Sequence, residues 1–259
     1  MEADILRAAH LLAASQRLVV LTGAGMSQES GIPTFRDPGT GVWAQTDPMA
    51  VASIAGFMQD PDRSWQWHDH LRELVRQARP NPGHVALARL EDILPRVVVV
   101  TQNIDDLHQR AGSRDVIPIH GTLAHARCFF DCLGRPTVIA FDDLEDYRPG
   151  ENAPKCPHCG RWARPDVVWF GESLPEEAIN RAFLECEKAD VMLVIGTSGV
   201  VQPAASLPFV ARQHGALLID VNPFEDEIHW AAEVWLQGPS GRVLPRLVDA
   251  VRRLLGEST

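Results

Sequence analysis

Short aliphatic runs recur along the chain and alternate with segments of helical periodicity. The runs lack polar alternation, which is typical of parallel strands buried on both faces of a sheet. We therefore predict buried strands at Arg17–Leu21, Arg96–Val100, Val116–Ile119, Val167–Phe170, Val191–Ile195, Ala216–Val221 and Glu233–Leu236.

Helical segments lie between these strands. Most of them open with a proline, which the first helical turn tolerates because its missing N–H would have no partner there. The N-terminal segment, with Glu2 and Asp4 near its start, indicates a further amphipathic helix. The alternation of strand and helix predicts an α/β fold built on a Rossmann-like doubly wound parallel sheet. The other predicted helices are Pro82–Leu94, Pro175–Cys186, Pro203–His214 and Leu244–Leu255.

Two stretches interrupt the alternation. Pro48–Arg79 is helical in character and rich in Trp and His, whereas Leu123–Arg164 is irregular and has paired cysteines near its two ends. We interpret both as insertions that meet to form a small second domain. The predicted division assigns residues 1–47, 80–122 and 165–259 to the large domain, 48–79 to the helical part of the small domain and 123–164 to its cysteine-bearing part.

Composition and charge narrow the class of protein. The 259 residues carry a formal net charge of −10 without a basic cluster, which argues against a protein that binds nucleic acid directly. The aliphatic runs fall far short of the roughly 20 residues that a membrane-spanning helix needs, and the N-terminus does not resemble a signal peptide. Five cysteines, four of them close together, do not suit a disulfide scaffold. We therefore expect a cytoplasmic protein that does not associate with membranes.

A glycine-rich turn follows the first predicted strand. Gly23-Ala24-Gly25 lets backbone amides approach a pyrophosphate closely. The usual dinucleotide fingerprint would have a third glycine at position 28, where this chain has Gln28, and no ribose-binding acid follows a second strand. The turn alone is also compatible with a purely structural strand-to-helix connection, and its departures argue against an ordinary dehydrogenase.

Polar residues follow two further strands. The segment Thr101-Gln102-Asn103-Ile104-Asp105-Asp106 comes after Arg96–Val100, and His120 comes after Val116–Ile119. Ligands of open α/β sheets bind at the carboxyl ends of strands, and histidine is the side chain best suited to accept a proton near pH 7. Helix capping explains the first segment equally well, and a lone histidine is more often structural than catalytic.

The four clustered cysteines form two close pairs. Cys128 and Cys132 are separated by three residues, and Cys156 and Cys159 by two. Two such pairs suit a tetrahedral zinc ion, and four thiolates close its coordination shell, so the metal would be structural. A redox dithiol is the alternative for the second pair, but that motif belongs at the start of a helix. Cys186 fits a buried helix thiol.

Taken together, these segments resemble one family, the sirtuins, which are NAD-dependent protein-lysine deacylases. The resemblance extends over nearly the whole chain. It rests on GAGMSQESGIPTFR at 23–36, TQNID at 101–105, His120-Gly121, the paired cysteines, Val168-Trp169-Phe170-Gly171-Glu172, Gly196-Thr197-Ser198 and Asn222-Pro223.

The resemblance implies that NAD is a co-substrate. It places residues 23 to about 43 in an NAD loop, Asp105 and the Ile104 backbone on the nicotinamide carboxamide, and Ser240 beside adenine. The implied NAD-binding residues are Gly23, Ala24, Gly25, Ser27, Phe35, Arg36, Trp43, Gln102, Asn103, Ile104, Asp105, Gly196, Thr197, Ser198, Asn222, Pro223 and Ser240.

The same resemblance implies that His120 is the general base, with Asn103 as a second catalytic residue. Acyl-lysine proteins or peptides would add a strand between residues 168–172 and 199–201. The implied zinc ligands are Cys128, Cys132, Cys156 and Cys159, and the implied substrate residues are Val168, Trp169, Phe170, Gly171, Val200, His68 and Leu71.

One departure concerns the acyl group. The segment 196–205 is most similar to the bacterial-type branch that includes desuccinylases and demalonylases, in which a Tyr-x-x-Arg pair meets the acyl carboxylate. Here His68 and Leu71 align with that pair, and because leucine cannot pair with a carboxylate, a neutral group such as acetyl is favoured. A shift of one residue would bring in Arg72 instead. Two rival functions stay open: an NAD-dependent ADP-ribosyltransferase or NAD glycohydrolase on the same fold, and a non-catalytic zinc-ribbon binding module.

Overall fold

A six-stranded parallel sheet forms the larger part of the molecule. The computed structural model describes residues 2–34, 46–145 and 147–256. The strands stand in the order β3-β2-β1-β7-β8-β9, so the chain runs outward from β1 in both directions, as in dinucleotide-binding sheets. These strands are β1 (Leu18–Thr22), β2 (Val97–Thr101), β3 (Val116–Pro118), β7 (Val191–Ile195), β8 (Leu217–Asn222) and β9 (Val234–Gln237).

Helices cover both faces of this sheet. β1, β2 and β7 are buried along their whole length because aliphatic cores form on either side of them. The doubly wound fold is thus confirmed, and no helix among the described residues has the length and apolarity to cross a bilayer. The helices beside this sheet are α1 (Glu2–Ala14), α2 (Gly25–Gln28), α6 (Pro82–Ile93), α7 (Leu107–Arg110), α8 (Glu176–Cys186), α9 (Leu207–Gln213) and α10 (Ser240–Leu254).

The two insertions pack against each other. The indole Nε1 of Trp65, on the helical insertion, donates to the backbone oxygen of Ala163, and the Asp62 carboxylate accepts from the backbone N–H of Ala153. They share one hydrophobic core, although the exact domain boundaries stay a prediction. The elements are α3 (Pro48–Val51), α4 (Ile54–Gln59), α5 (Pro61–Gln77), and the antiparallel strands β4 (Gly121–Cys128), β5 (Val138–Ile139) and β6 (Ala163–Val167) in the order β5-β4-β6.

Two predictions about elements are wrong. Val167–Phe170 is not a strand of the parallel sheet: Val167 ends β6 of the small sheet, and Phe170 makes only an isolated bridge to Ser53. The run is apolar because Val167 and Trp169 enter the small-domain core, while the residues between and after them face a cleft. Leu123–Arg164 is also less irregular than expected, since it contains most of β4 and all of β5.

Candidate active site

A cleft of about 1000 Å³ opens where β1 and β7 end. The chain order reverses between these two strands, and open α/β sheets bind ligands at that point. Most of the residues singled out from the sequence meet there. They are Gly23, Ala24, Gly25, His68, Gln102, Asn103, Ile104, His120, Val168, Trp169, Phe170, Gly171, Gly196, Thr197, Ser198, Val200, Asn222, Pro223 and Ser240.

Glycines allow two loops to cross closely at the base of the cleft. The amide of Gly25 donates to the oxygen of Gly196 at 2.9 Å. A Cβ on Gly196, whose φ is +58°, would lie 2.6 Å from the backbone nitrogen of Met26. A side chain there would therefore push the turn after β1 away from the loop after β7. The glycines thus let these two loops pack closely at the floor of the cleft.

Hydrogen bonds tie the strand-end side chains together. The Gln102 amide donates to Oγ1 of Thr197 at 3.0 Å. The Asn222 amide donates to the Thr197 backbone oxygen at 2.9 Å and to the carboxylate of Asp226 at 2.8 Å. These contacts join β2, β7 and β8 across the polar floor of the cleft.

His120 lies on the wall of this cleft with a defined tautomer. Its Nδ1 is 2.8 Å from the backbone oxygen of Gln102, and because a carbonyl only accepts, Nδ1 carries the proton. Nε2 therefore has the free lone pair. Burial lowers the pKa of His120, although the bond to Gln102 acts in the opposite direction. The ring is thus neutral near pH 7 and can accept a proton through Nε2.

A smaller cavity lies beside the cleft and shares Ala24, Asn103 and Ile104 with it. The Asn103 amide donates to Oγ of Ser27 at 3.1 Å, and that hydroxyl donates to the Asp105 carboxylate at 2.8 Å. Burial raises the pKa of Asp105, against the effect of its hydrogen bonds. Ser27 and Asp105 line this smaller cavity rather than the main cleft, and Leu71 joins them there.

A buried ion pair supports the segment Val168–Glu172. Arg164 makes two bonds to the Glu172 carboxylate, of 2.6 and 2.8 Å, and its guanidinium lies 3.4 Å from the centroid of the Trp169 ring. Glu172 also accepts from the backbone N–H of Trp169 at 2.8 Å. The segment that borders the cleft is therefore held to β6 by one arginine.

His68 contributes a neutral wall to the cleft. It is 2% exposed, and its Nδ1–H donates to the Ser64 oxygen at 2.8 Å, so Nε2 accepts from the Trp169 indole at 3.2 Å. Burial lowers the pKa of His68 to about 4. Arg72 is directed elsewhere, with its guanidinium 3.8 Å from the centroid of the Phe141 ring. Along the described part of the cleft, no lysine or arginine lines the wall.

The four paired cysteines converge within the small domain. Their sulfur atoms all lie within 4.8 Å of one another, with 3.7 Å between Cys128 and Cys159 and 3.9 Å between Cys132 and Cys156. Sulfurs placed about 2.3 Å from a central ion at tetrahedral corners are about 3.8 Å apart. The cluster therefore has the donor set and spacing for zinc.

Three of the predicted NAD-binding residues, Phe35, Arg36 and Trp43, fall outside the described residues. Three further buried residues, Arg164, His84 and His108, were not predicted from the sequence. Arg164 gave no clear signal, because β6 also contains Pro165 and Asp166, and the two histidines looked like ordinary helix residues.

Comparisons with known proteins all match the chain to Sir2 proteins and NAD-dependent protein deacylases. The Sir2 family model matches residues 23–203. NAD-dependent protein deacylase 1 of Pseudomonas aeruginosa is 47% identical over 244 residues, which cover 92% of this chain and 95% of that protein. A solved Sir2 homologue–NAD complex has a TM-score of 0.87 at 43% identity and covers 96% of this chain and 94% of its own. Sir2Af2 bound to a myristoylated histone peptide has a TM-score of 0.80 at 37% identity and covers 100% of both chains.

Proposed function

This chain belongs to the Sir2 family, and we propose on that basis that it is an NAD-dependent protein-lysine deacylase. The reaction consumes NAD and an acyl-lysine and yields nicotinamide, O-acyl-ADP-ribose and free lysine. The observation that carries the proposal is His120, a neutral base whose free nitrogen belongs to the same cleft as the glycine turn of Gly23. The protein would act in the cytoplasm on proteins or peptides that carry acyl-lysine.

NAD would lie across the carboxyl ends of the strands. Ala24 of the glycine turn, Thr197 and Ser198 would contact its phosphates. Asn222 would contact the adenosine ribose and Ser240 the adenine. At the other end, the smaller cavity would receive nicotinamide, with Asp105 and the Ile104 backbone on its carboxamide. Gln102 would contact the nicotinamide ribose.

The chemistry needs a positioned electrophile and one base. The acyl oxygen of the substrate attacks the ribose carbon as nicotinamide leaves, so the pocket around Asn103 has to hold NAD in a reactive geometry. His120 then takes a proton from the ribose hydroxyls, and the 2′ oxygen attacks the acyl carbon. Water completes the release of lysine and O-acyl-ADP-ribose.

The acyl-lysine segment would pair as an added strand beside Val168–Gly171 and Val200. The supporting observation is that both segments line the same cleft as His120. The zinc ion would hold the small domain together and take no part in catalysis, because four thiolates complete its shell.

The acyl group itself would be uncharged, and acetyl is the first candidate. Both ring nitrogens of His68 are already hydrogen-bonded, and the carboxylate of a succinyl group would find no cation on the described wall. An unpaired buried carboxylate costs several kcal/mol. Leu71 lines the smaller cavity and not this wall.

Product analysis tests the proposal. The protein is incubated with NAD and an acetyl-lysine peptide, and products are identified by mass spectrometry, with His120→Ala in parallel. O-acetyl-ADP-ribose from the wild type, and its loss in a variant that still binds NAD in calorimetry, is the expected result. Free ADP-ribose or ADP-ribosylated protein as the main product would instead identify the glycohydrolase or transferase.

An acyl panel tests the finer claim. Peptides that differ only in an acetyl, propionyl, crotonyl or succinyl group are compared by kcat/KM. We expect succinyl to be poorer than acetyl by at least about 100-fold, since each tenfold corresponds to about 1.4 kcal/mol. A succinyl peptide that is the best substrate would contradict the assignment of His68 and Leu71.

A further inference from the structure

A buried chain of hydrogen bonds runs beneath the turn after β1 to Asn103. Nε2 of His108, which is 1% exposed, lies 3.0 Å from Oγ1 of Thr22. The Thr22 hydroxyl donates to Oγ1 of Thr101 at 2.8 Å. Oγ1 of Thr101 in turn accepts the backbone N–H of Asn103 at 3.0 Å. The position of Asn103 therefore depends on two threonines, and the outer threonine depends on His108.

The same chain returns to His108 by a second route. Asn103 is linked through Ser27 to the carboxylate of Asp105, as described above, and the other oxygen of Asp105 accepts the backbone N–H of Leu107 at 3.0 Å. Leu107 directly precedes His108 in α7. The contacts thus close into a ring that includes three residues of the smaller cavity's lining, Ser27, Asn103 and Asp105, and the His108 side chain is the member that closes it.

A second buried histidine packs against the first. Nδ1 of His84 accepts the backbone N–H of Asn81 at 3.3 Å, so its Nε2 carries the proton. The rings of His84 and His108 are in contact, with centroids 4.9 Å apart. Nε2 of His84 and Nδ1 of His108 are buried and have no hydrogen-bond partner among the described residues. The tautomer of His108 follows from Thr22: the single proton of the Thr22 hydroxyl is donated to Thr101, so Nε2 of His108 carries a proton and donates to Thr22.

Both rings are uncharged at neutral pH. Burial lowers the pKa of His84 to about 4. Burial, with a smaller effect from the neighbouring His84, lowers the pKa of His108 to about 3. The direction of each hydrogen bond is therefore set by tautomers and does not change across the physiological range.

We propose that His108 is a positioning residue for the cleavage of NAD: its Nε2–H holds Thr22, and through Thr22 and Thr101 it fixes Asn103 at the mouth of the smaller cavity. This inference rests on the proposed function, in which nicotinamide departs into that cavity. Loss of the donor leaves the Thr22 hydroxyl free to rotate and removes the support for Thr101. Small displacements of a positioned group are costly in rate, up to about 100-fold for 1 Å.

The test compares His108→Phe, which keeps an aromatic ring without a donor, with His108→Gln, whose amide can donate near the position of Nε2. Nicotinamide release and nicotinamide base exchange are measured with NAD and an acetyl-lysine peptide. We expect His108→Phe to slow nicotinamide release by about 10- to 100-fold while the KM for peptide changes by less than about threefold. We expect His108→Gln to recover most of the rate.

Two further variants separate positioning from stability. Thr22→Val removes the hydroxyl at constant shape and is expected to lower the rate as His108→Phe does, so the inference stays testable even if the latter fails to fold. Leu90→Ala removes buried side-chain volume on α6, where His84 also lies. It is expected to lower the melting temperature without changing the ratio of base exchange to deacylation.

The four variants give different results if His108 positions Asn103 and if it is only structural. Slow nicotinamide release and an altered exchange ratio in His108→Phe and Thr22→Val, with rescue by His108→Gln, support the inference. Wild-type rates per folded molecule in His108→Phe or in Thr22→Val would overturn it, as would a glutamine variant as impaired as the phenylalanine one. A wild type that releases no nicotinamide would overturn the proposed function and the inference with it.

Discussion

Replacement of Arg164 by methionine should both destabilise the protein and weaken peptide binding. The Arg164 side chain is 2% exposed, and that of Glu172 is 14% exposed. Burial acts to raise the pKa of Glu172, but the hydrogen bonds and charge of Arg164 outweigh it and the pKa is lowered. The pair is therefore ionised in the folded protein, and removal of one partner leaves an uncompensated charge in a largely dry site.

The magnitude follows from that arrangement. Breaking a buried pair by removing one partner costs about 3–5 kcal/mol of unfolding free energy. Methionine also fills most of the space of the arginine stem, so the loss is mainly electrostatic. The double variant Arg164→Met/Glu172→Gln leaves no unpaired buried charge, and we expect its free energy of unfolding to exceed that of Arg164→Met by about 2 kcal/mol.

Urea unfolding of the zinc-loaded wild type, both single variants and the double variant completes a double-mutant cycle. Kinetic assays of the same four proteins should show a higher KM for peptide, by about tenfold in Arg164→Met, with an unchanged Kd for NAD. Single-variant losses that simply add, with a coupling energy below about 0.5 kcal/mol, would refute the argument. The lowered pKa of Glu172 also determines how the stability depends on pH. The ion pair contributes its full stabilisation of the folded protein above the pKa that Glu172 has in the unfolded chain, and this contribution is lost as the pH falls through the pKa of Glu172 in the folded protein.

Three further predictions concern the metal, the glycine crossing and the base. Cys156→Ser, or chelation of zinc, should lower the melting temperature and abolish activity, and restored activity at one zinc per chain distinguishes the metal from a redox dithiol. Gly196→Ala should weaken NAD binding in calorimetry by at least about tenfold, because its Cβ would lie 2.6 Å from the Met26 nitrogen and displace the turn after β1. Gly215→Ala, which also has a positive φ but open space around its Cβ, should leave NAD affinity unchanged. Because the pKa of His120 is lowered, activity should fall only below pH 6.5, and an acid limb centred above that value would contradict its assignment.

The parallel sheet was predictable because its strands carry an unambiguous signal. Val97–Val100 and Val191–Ile195 are continuous aliphatic runs, and only a strand covered on both faces buries every residue of such a run. Val167–Phe170 is equally apolar but lies between the core of the small sheet and the cleft. Alternate residues there enter the small core and the cleft, and an apolar run does not reveal which of two surfaces each side chain meets.

The candidate site was predictable to the extent that it follows strand ends. Gln102 and His120 were placed from their positions after apolar runs. His108 was not predicted because its partner, Thr22, lies 86 residues earlier in the sequence. Arg164 pairs with Glu172 only 8 residues later, but no local pattern shows that this pair is buried. A local pattern identifies which side chains reach the end of a strand, but it does not identify the buried groups that hold them.

Strand register explains why so few segments suffice to build the cleft. Thr22 of β1 stands level with Thr101 of β2 on one side and with Ile195 of β7 on the other. The residues that follow these strands therefore emerge at the same height. The backbone ladder also continues beyond the strands, since the backbone N–H of Gln102 donates to the backbone oxygen of Thr22 at 2.9 Å and that of Gly23 donates to the backbone oxygen of Ile195 at 3.0 Å. A slip of one residue in β1 would turn Thr22 away from Thr101 and separate the glycine turn from its partner loop. The aliphatic residues that fix this register thus position the chemistry without touching it.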